Sequence, residues 1–188
     1  MKHHPSIALP TIAALTLLAI PGCASWDVRS ESARTPETHA QVQPARQLSP
    51  IDQLRALSGT WVAVAPPEKG QKPAMVVFKP TAGGSAVMET MFPGSDREMV
   101  NLFTPDANGL TMTHFCSMGN QPRMRLASAD NGVLRFEFLD AGNLKSRNDP
   151  HMDSVELAIQ GDRLTEKWAM YQDGKISGYH TFEFKRQG

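Results

Sequence analysis

From Gly59 to Arg186 apolar side chains recur at every second position in short runs, and many of these runs stop at a dipeptide suited to a tight reversal. Gly83-Gly84, Asn108-Gly109, Asn131-Gly132, Gly161-Asp162 and Asp173-Gly174 supply the positive φ that short hairpins demand. A period of two puts alternate side chains on opposite faces of a strand, so the chain is written for antiparallel neighbours. The strand-like runs are Thr60–Ala65, Ala74–Lys79, Ser85–Phe92, Glu98–Thr104, Leu110–Met118, Arg123–Ser128, Val133–Leu139, Asp153–Ile159, Arg163–Tyr171 and Tyr179–Lys185. Leu134, Phe136 and Phe138 oppose Val133, Arg135 and Glu137, while Val155, Leu157 and Ile159 oppose Ser154 and Glu156, which marks one buried and one wet face. An open meander of about ten strands would leave two hydrogen-bonding edges exposed, and closure removes both. The predicted fold is therefore all-β, an antiparallel up-and-down barrel.

Ahead of the first run, Ser49-Pro50-Ile51-Asp52 combines a capping hydroxyl, a proline suited to the first turn and an acid three residues after the cap. Ile51, Leu54 and Leu57 share a face and Gly59 closes it, which predicts a short helix of about two turns. Gly59-Thr60-Trp61, following this helix and opening the first strand, resembles the G-x-W signature of the lipocalin and calycin superfamily. Arg186, after Thr181-Phe182-Glu183-Phe184-Lys185, matches the basic residue that such proteins lay over the tryptophan. Residues 49–188 are similar to a bacterial lipocalin-like domain family. That resemblance implies a cup like those of fatty-acid-binding proteins and nitrobindins, with Trp61 and Arg186 as structural supports.

The N-terminal part of the chain has another character. Lys2, His3 and His4 precede an apolar run from Ile7 to Ile20, which suits a signal-peptide core and falls short of the roughly 20 residues needed to span a bilayer. Ile20-Pro21-Gly22-Cys23 resembles the lipobox of bacterial lipoproteins, although Pro21 stands where that family usually has a small residue. The resemblance implies that residues 1–22 are a signal peptide and that Cys23 is lipidated. The protein would then be secreted across the inner membrane and held in the cell envelope by its lipid anchor. Ala24 is not the aspartate associated with inner-membrane retention, which implies the outer membrane, facing the periplasm. Residues 23–48, with Trp26 as their only aromatic, lack the apolar surface that offsets ordering entropy and read as a disordered tether. With 19 basic and 19 acidic side chains, the chain has no net field to attract nucleic acid.

The densest chemistry lies between Thr111 and Met124. In a strand, Met112, His114, Cys116 and Met118 face one way, setting an imidazole and a thiol about 7 Å apart among thioethers. One reading is a metal or haem site using His114 and Cys116, joined by His180 or His151; the likeness to nitrobindins allows haem. Two ligands do not define a site, and no C-x-x-C or H-E-x-x-H accompanies them, so no cofactor or metal is assigned. A second reading is nucleophilic catalysis by Cys116, activated by His114 or His180 with Glu89 as the orienting acid. A third is a cup for a small, mostly apolar molecule, with Glu89, His114, Cys116, Met118, Trp168 and His180 as candidate wall residues. The remaining reading makes His114 and Cys116 ordinary core residues of an envelope scaffold that binds another protein. Likeness to calycin barrels favours the cup over catalysis. Acylation of Cys23 would leave Cys116 as the only thiol after residue 22 and exclude an internal disulfide. Glu166 shares a face with Trp168, and the polar stretch from Asn143 to Met152 is a candidate lid.

Overall fold

A computed structural model describes residues 47–188; the expected signal peptide, Cys23 and most of the expected tether fall outside the described residues. Helix α1 (Pro50–Ala56) leads into β1 (Gly59–Ala63), β2 (Met75–Thr81), β3 (Ala86–Met91), β4 (Met99–Asp106) and β5 (Gly109–Phe115). These are followed by β6 (Gln121–Asp130), β7 (Val133–Gly142), β8 (His151–Gln160), β9 (Arg163–Gln172) and β10 (Lys175–Arg186). Every strand is antiparallel to its sequence neighbour, and β1 completes the ring by pairing with β2 on one side and β10 on the other. The all-β up-and-down barrel is closed, as the alternation predicts. Among the described residues no helix is long and apolar enough to cross a membrane.

Two boundaries differ from the sequence pattern for local reasons. β10 begins at Lys175 rather than Tyr179, because a bulge between Ile176 and Gly178 lets the pairing with β9 continue to the hairpin. β5 stops at Phe115, since Cys116 turns back on itself: its N–H donates to Asn120 O at 3.1 Å and its carbonyl accepts from Gly119 N–H at 2.9 Å. Met118 therefore sits in a turn and not on the strand. At the β6–β7 hairpin Gly132 has φ 76°, and a Cβ there would lie 2.7 Å from Ile159 O, so that reversal requires glycine.

The barrel has one plugged end. The helix is capped by Ser49, whose side chain accepts from Asp52 N–H, and Leu54 and Leu57 are buried in the core. Arg55 donates through Nε and Nη2 to Gly84 O at 2.9 and 2.6 Å, fixing the helix to the turn between β2 and β3. Trp61 is fully buried and donates from Nε1 to Leu57 O at 2.7 Å. Arg186, paired with Trp61 across β1 and β10, lies 4.3 Å over the indole and donates to Ser58 O and Ala56 O, both at 2.8 Å. It thus satisfies carbonyls at the helix C-terminus that have no partner within the helix. Outside the barrel, strand residues such as Lys79, Arg125, Glu137 and Lys167 are exposed, and Arg135 pairs with Glu156 at 2.9 Å. Truncating Trp61 to alanine removes a buried indole, its hydrogen bond and the platform under Arg186. The expected cost is about 3–5 kcal/mol, measured as a lower urea midpoint with an unchanged slope.

Candidate functional site

The alternation that buries apolar residues also sends four polar side chains inward. Glu89 on β3, Asn101 on β4 and His114 on β5 sit opposite one another in register, and Glu166 projects from β9. All four are at most 1% exposed. Asn101 donates from Nδ2 to Glu89 Oε2 at 2.8 Å, which leaves its Oδ1 to face His114 Nδ1 at 2.6 Å. His114 must therefore carry its proton on Nδ1, and Nε2 presents a bare lone pair. Nε2 has no hydrogen-bond partner. The imidazole is held against Trp168, with ring centroids 4.9 Å apart, and Trp168 Nε1 donates to Glu166 Oε2 at 3.1 Å.

Burial decides the protonation of this belt. It holds the His114 pKa down at about 4, so the ring is neutral at ordinary pH. Glu89 is pushed well above the carboxylate range by burial first and by the neighbouring Glu166 carboxyl second. Burial raises Glu166 as well. Glu89 Oε1 and Glu166 Oε1 have no hydrogen-bond partner, and burial holds both carboxyls toward the protonated form.

Toward the end opposite α1 the polar belt opens into a cavity of about 320 Å³. Its wall contains Met91, Met99, Met118, Met152 and Met170, with His114 and Trp168 reaching it from below. Met91 and Met99 face each other across β3 and β4, and Met152 and Met170 across β8 and β9, where a bulge between Met152 and Ser154 resets the alternation. Ala74, Phe92, Arg97 and Phe182 line both this cavity and a wider groove of about 970 Å³ beside the Pro66-Pro67 loop.

Of the residues singled out from sequence, His114, Cys116, Met118, Trp168 and His180 line the cavity, and Glu89 does not, meeting His114 only through Asn101. His180 and Met118 are exposed at the rim. The thiol–imidazole–carboxyl triad is not assembled: His114 Nδ1 is bound to Asn101, Nε2 bonds to nothing, and burial pushes the Cys116 thiol up, away from the thiolate. His151 lies apart from the cavity, with Nδ1 against Asp149 O at 2.6 Å and Nε2 against Arg147, whose guanidinium is sandwiched between Phe138 and Tyr171. It cannot join His114 in a metal site. Among the described residues no three His, Cys, Asp or Glu side chains converge as metal ligands. Sequence reasoning passed over Asn101 and the four mouth methionines on β3, β4, β8 and β9. Asn101 was detectable, because it alternates with Met99 and Phe103 on the inward face of β4.

No protein-family model and no curated protein matches this chain.

Because the paired acids favour the protonated form in the fold, their contribution to stability is complete below the carboxylate value of 4.5 and is lost as pH rises through their raised folded values. Glu89→Gln keeps an acceptor for Asn101 and gives Glu166 a permanent donor. Its thermal midpoint should exceed the wild type's at pH 8 and approach it at pH 4. Circular dichroism melts at both pH values check this, and a variant less stable than wild type at pH 8 would refute the raised carboxyl pKa.

Proposed function

We propose that this protein is a lipid-anchored envelope protein whose barrel binds a small, mostly apolar molecule. The carrying observation is an apolar cavity with His114 in its wall, a buried histidine whose Nε2 has no hydrogen-bond partner. A buried acceptor without a partner costs free energy on the order of 1–3 kcal/mol. A ligand N–H or O–H placed there recovers it. The cavity volume of about 320 Å³ is at the small end of the roughly 300–1,000 Å³ of typical ligand sites. The reading is thus a compact hydrophobic body with one donor at its inner end, and the wider groove can take whatever extends beyond the mouth. The neutral imidazole, held by Asn101 and Glu89, discriminates against a ligand whose inner end offers only an acceptor.

The envelope address rests on the resemblance of Ile20-Pro21-Gly22-Cys23 to a lipobox, and ligands drawn from or delivered to a membrane layer fit a cup tethered beside it. Nucleic acid is not among the proposed partners.

Two measurements test this reading. Met170→Trp should fill the cavity and abolish uptake of an anilinonaphthalene dye while leaving the far-ultraviolet spectrum intact; unchanged uptake would place the dye elsewhere and remove the cavity from the proposal. Cys23→Ser should move the protein from the detergent to the aqueous phase on Triton X-114 partition, and retention in the detergent phase would overturn the lipid anchor.

A further inference from the structure

One fixed charge lines the methionine cavity. Arg97 is its only Lys or Arg, no Asp or Glu lines it, and burial keeps His114 neutral at ordinary pH. That charge sits at the mouth. Arg97 belongs to the connection between β3 and β4, is exposed, and lines the wider groove as well as the cavity. Its guanidinium lies 5.8 Å from the centroid of the Phe92 ring, which packs edge-on against Phe182 with centroids 5.5 Å apart. Both phenylalanines line the cavity and the groove alike, so the cation stands over a wall that the two share.

The connection that carries Arg97 is tied by its own polar groups. Ser95 Oγ donates to Phe92 O at 2.8 Å and accepts from Arg97 N–H at 3.2 Å, while Glu98 Oε2 accepts from Gly94 N–H at 2.5 Å. Glu98 N–H donates to Ser95 O at 3.2 Å, and Phe92 N–H donates to Met75 O at 2.8 Å on β2. The guanidinium takes no part in this network. Among the described residues it forms no ion pair and no hydrogen bond, although Asp96 and Glu98 flank it in sequence. Its fork of N–H donors is therefore open to an acceptor from outside the protein, on a backbone that is already held in place.

We propose that the ligand of this cavity is a compact amphiphilic monoanion, with its apolar body among the methionines and its acid group, a carboxylate or another of single charge, at Arg97. This rests on the proposed reading of the cavity as a ligand site and adds the ligand's charge and direction. The direction follows from desolvation. An anion carried to the inner wall would exchange its water for apolar side chains, whereas at the mouth it stays hydrated and meets a guanidinium. The single charge follows from the surroundings, because Glu68, Asp96 and Glu183 line the groove that Arg97 shares and would repel a second negative charge. A cationic ligand would meet Arg97 itself. The cavity volume of about 320 Å³ keeps the apolar body small.

The test compares two dyes that share one apolar body, anilinonaphthalene sulfonate and its uncharged parent phenylnaphthylamine, on the full chain carrying Cys23→Ser. Arg97→Gln should weaken the sulfonate about three- to fivefold, the upper range for a charge pair open to water, and leave the uncharged dye unchanged. Raising salt from about 0.05 M to about 0.5 M should likewise weaken only the sulfonate. Lys79→Gln, which removes one positive charge from the outer wall, should alter neither dye. Met170→Trp should exclude both, which places them in the cavity. A sulfonate affinity unmoved by Arg97→Gln, or weakened equally by Lys79→Gln, would overturn the monoanion and leave the apolar cup standing. Uptake of neither dye by the unaltered cavity would defeat the cup and the monoanion together.

Discussion

The barrel depends on the contact between Arg186 and Trp61. These residues belong to the last and first strands, so the pair sits on the seam where the ring of strands closes. A cation 4.3 Å over a buried indole contributes a modest amount by itself. Its importance comes from what else the guanidinium holds. By donating to Ala56 O and Ser58 O it ties the end of α1 to the seam, and Trp61 donates to Leu57 O from the other side. The helix is too short to be stable alone, and this clasp lets it deliver Leu54 and Leu57 as the plug of the barrel. With one end sealed, apolar surface concentrates below, and open space remains only at the other end.

The interior is layered as a consequence. Apolar side chains fill the base around Phe78, Phe103, Phe136 and Phe184; above them lie Glu89, Asn101, His114 and Glu166, and above those the methionines. The polar belt is costly in such a place, and part of the cost is met internally by the Asn101 bonds and the Trp168–Glu166 bond. His114 Nε2, Glu89 Oε1 and Glu166 Oε1 are the belt atoms left without a hydrogen-bond partner.

Much of the fold was legible because strand alternation and turn chemistry act locally. Leu134 and Phe136 point inward as their spacing requires, and Asn131-Gly132 makes the hairpin that its sequence encodes, with Asn131 at φ 52° and Gly132 at φ 76°. Helix α1 starts where its cap, proline and acid say it should. The site was less legible. His114 and Cys116 stood out by chemical type, but pairing them as base and nucleophile assumed a contact that the strand does not make, since residues two apart on one face are separated by about 7 Å. Met118 was assigned to a strand that ends earlier, at the Cys116–Asn120 turn, where Gly119 takes φ 84°. The methionines of β8 and β9 could not be placed at the mouth from periodicity, since the bulge at Met152–Ser154 shifts the face that residues beyond it present.

The sequence by itself determined the strands, their reversals and the short capped helix, because these follow from backbone sterics and from a period read over a few neighbours. Only the tertiary structure decided which inward groups meet. Glu89 and Glu166 lie on β3 and β9, and the one raises the other's pKa because closure brings the two walls together across the lumen. The tautomer of His114 likewise follows from Asn101 and Glu89 lying opposite it in register. Local rules choose the face of a strand; the curvature of the closed sheet chooses what that face looks at.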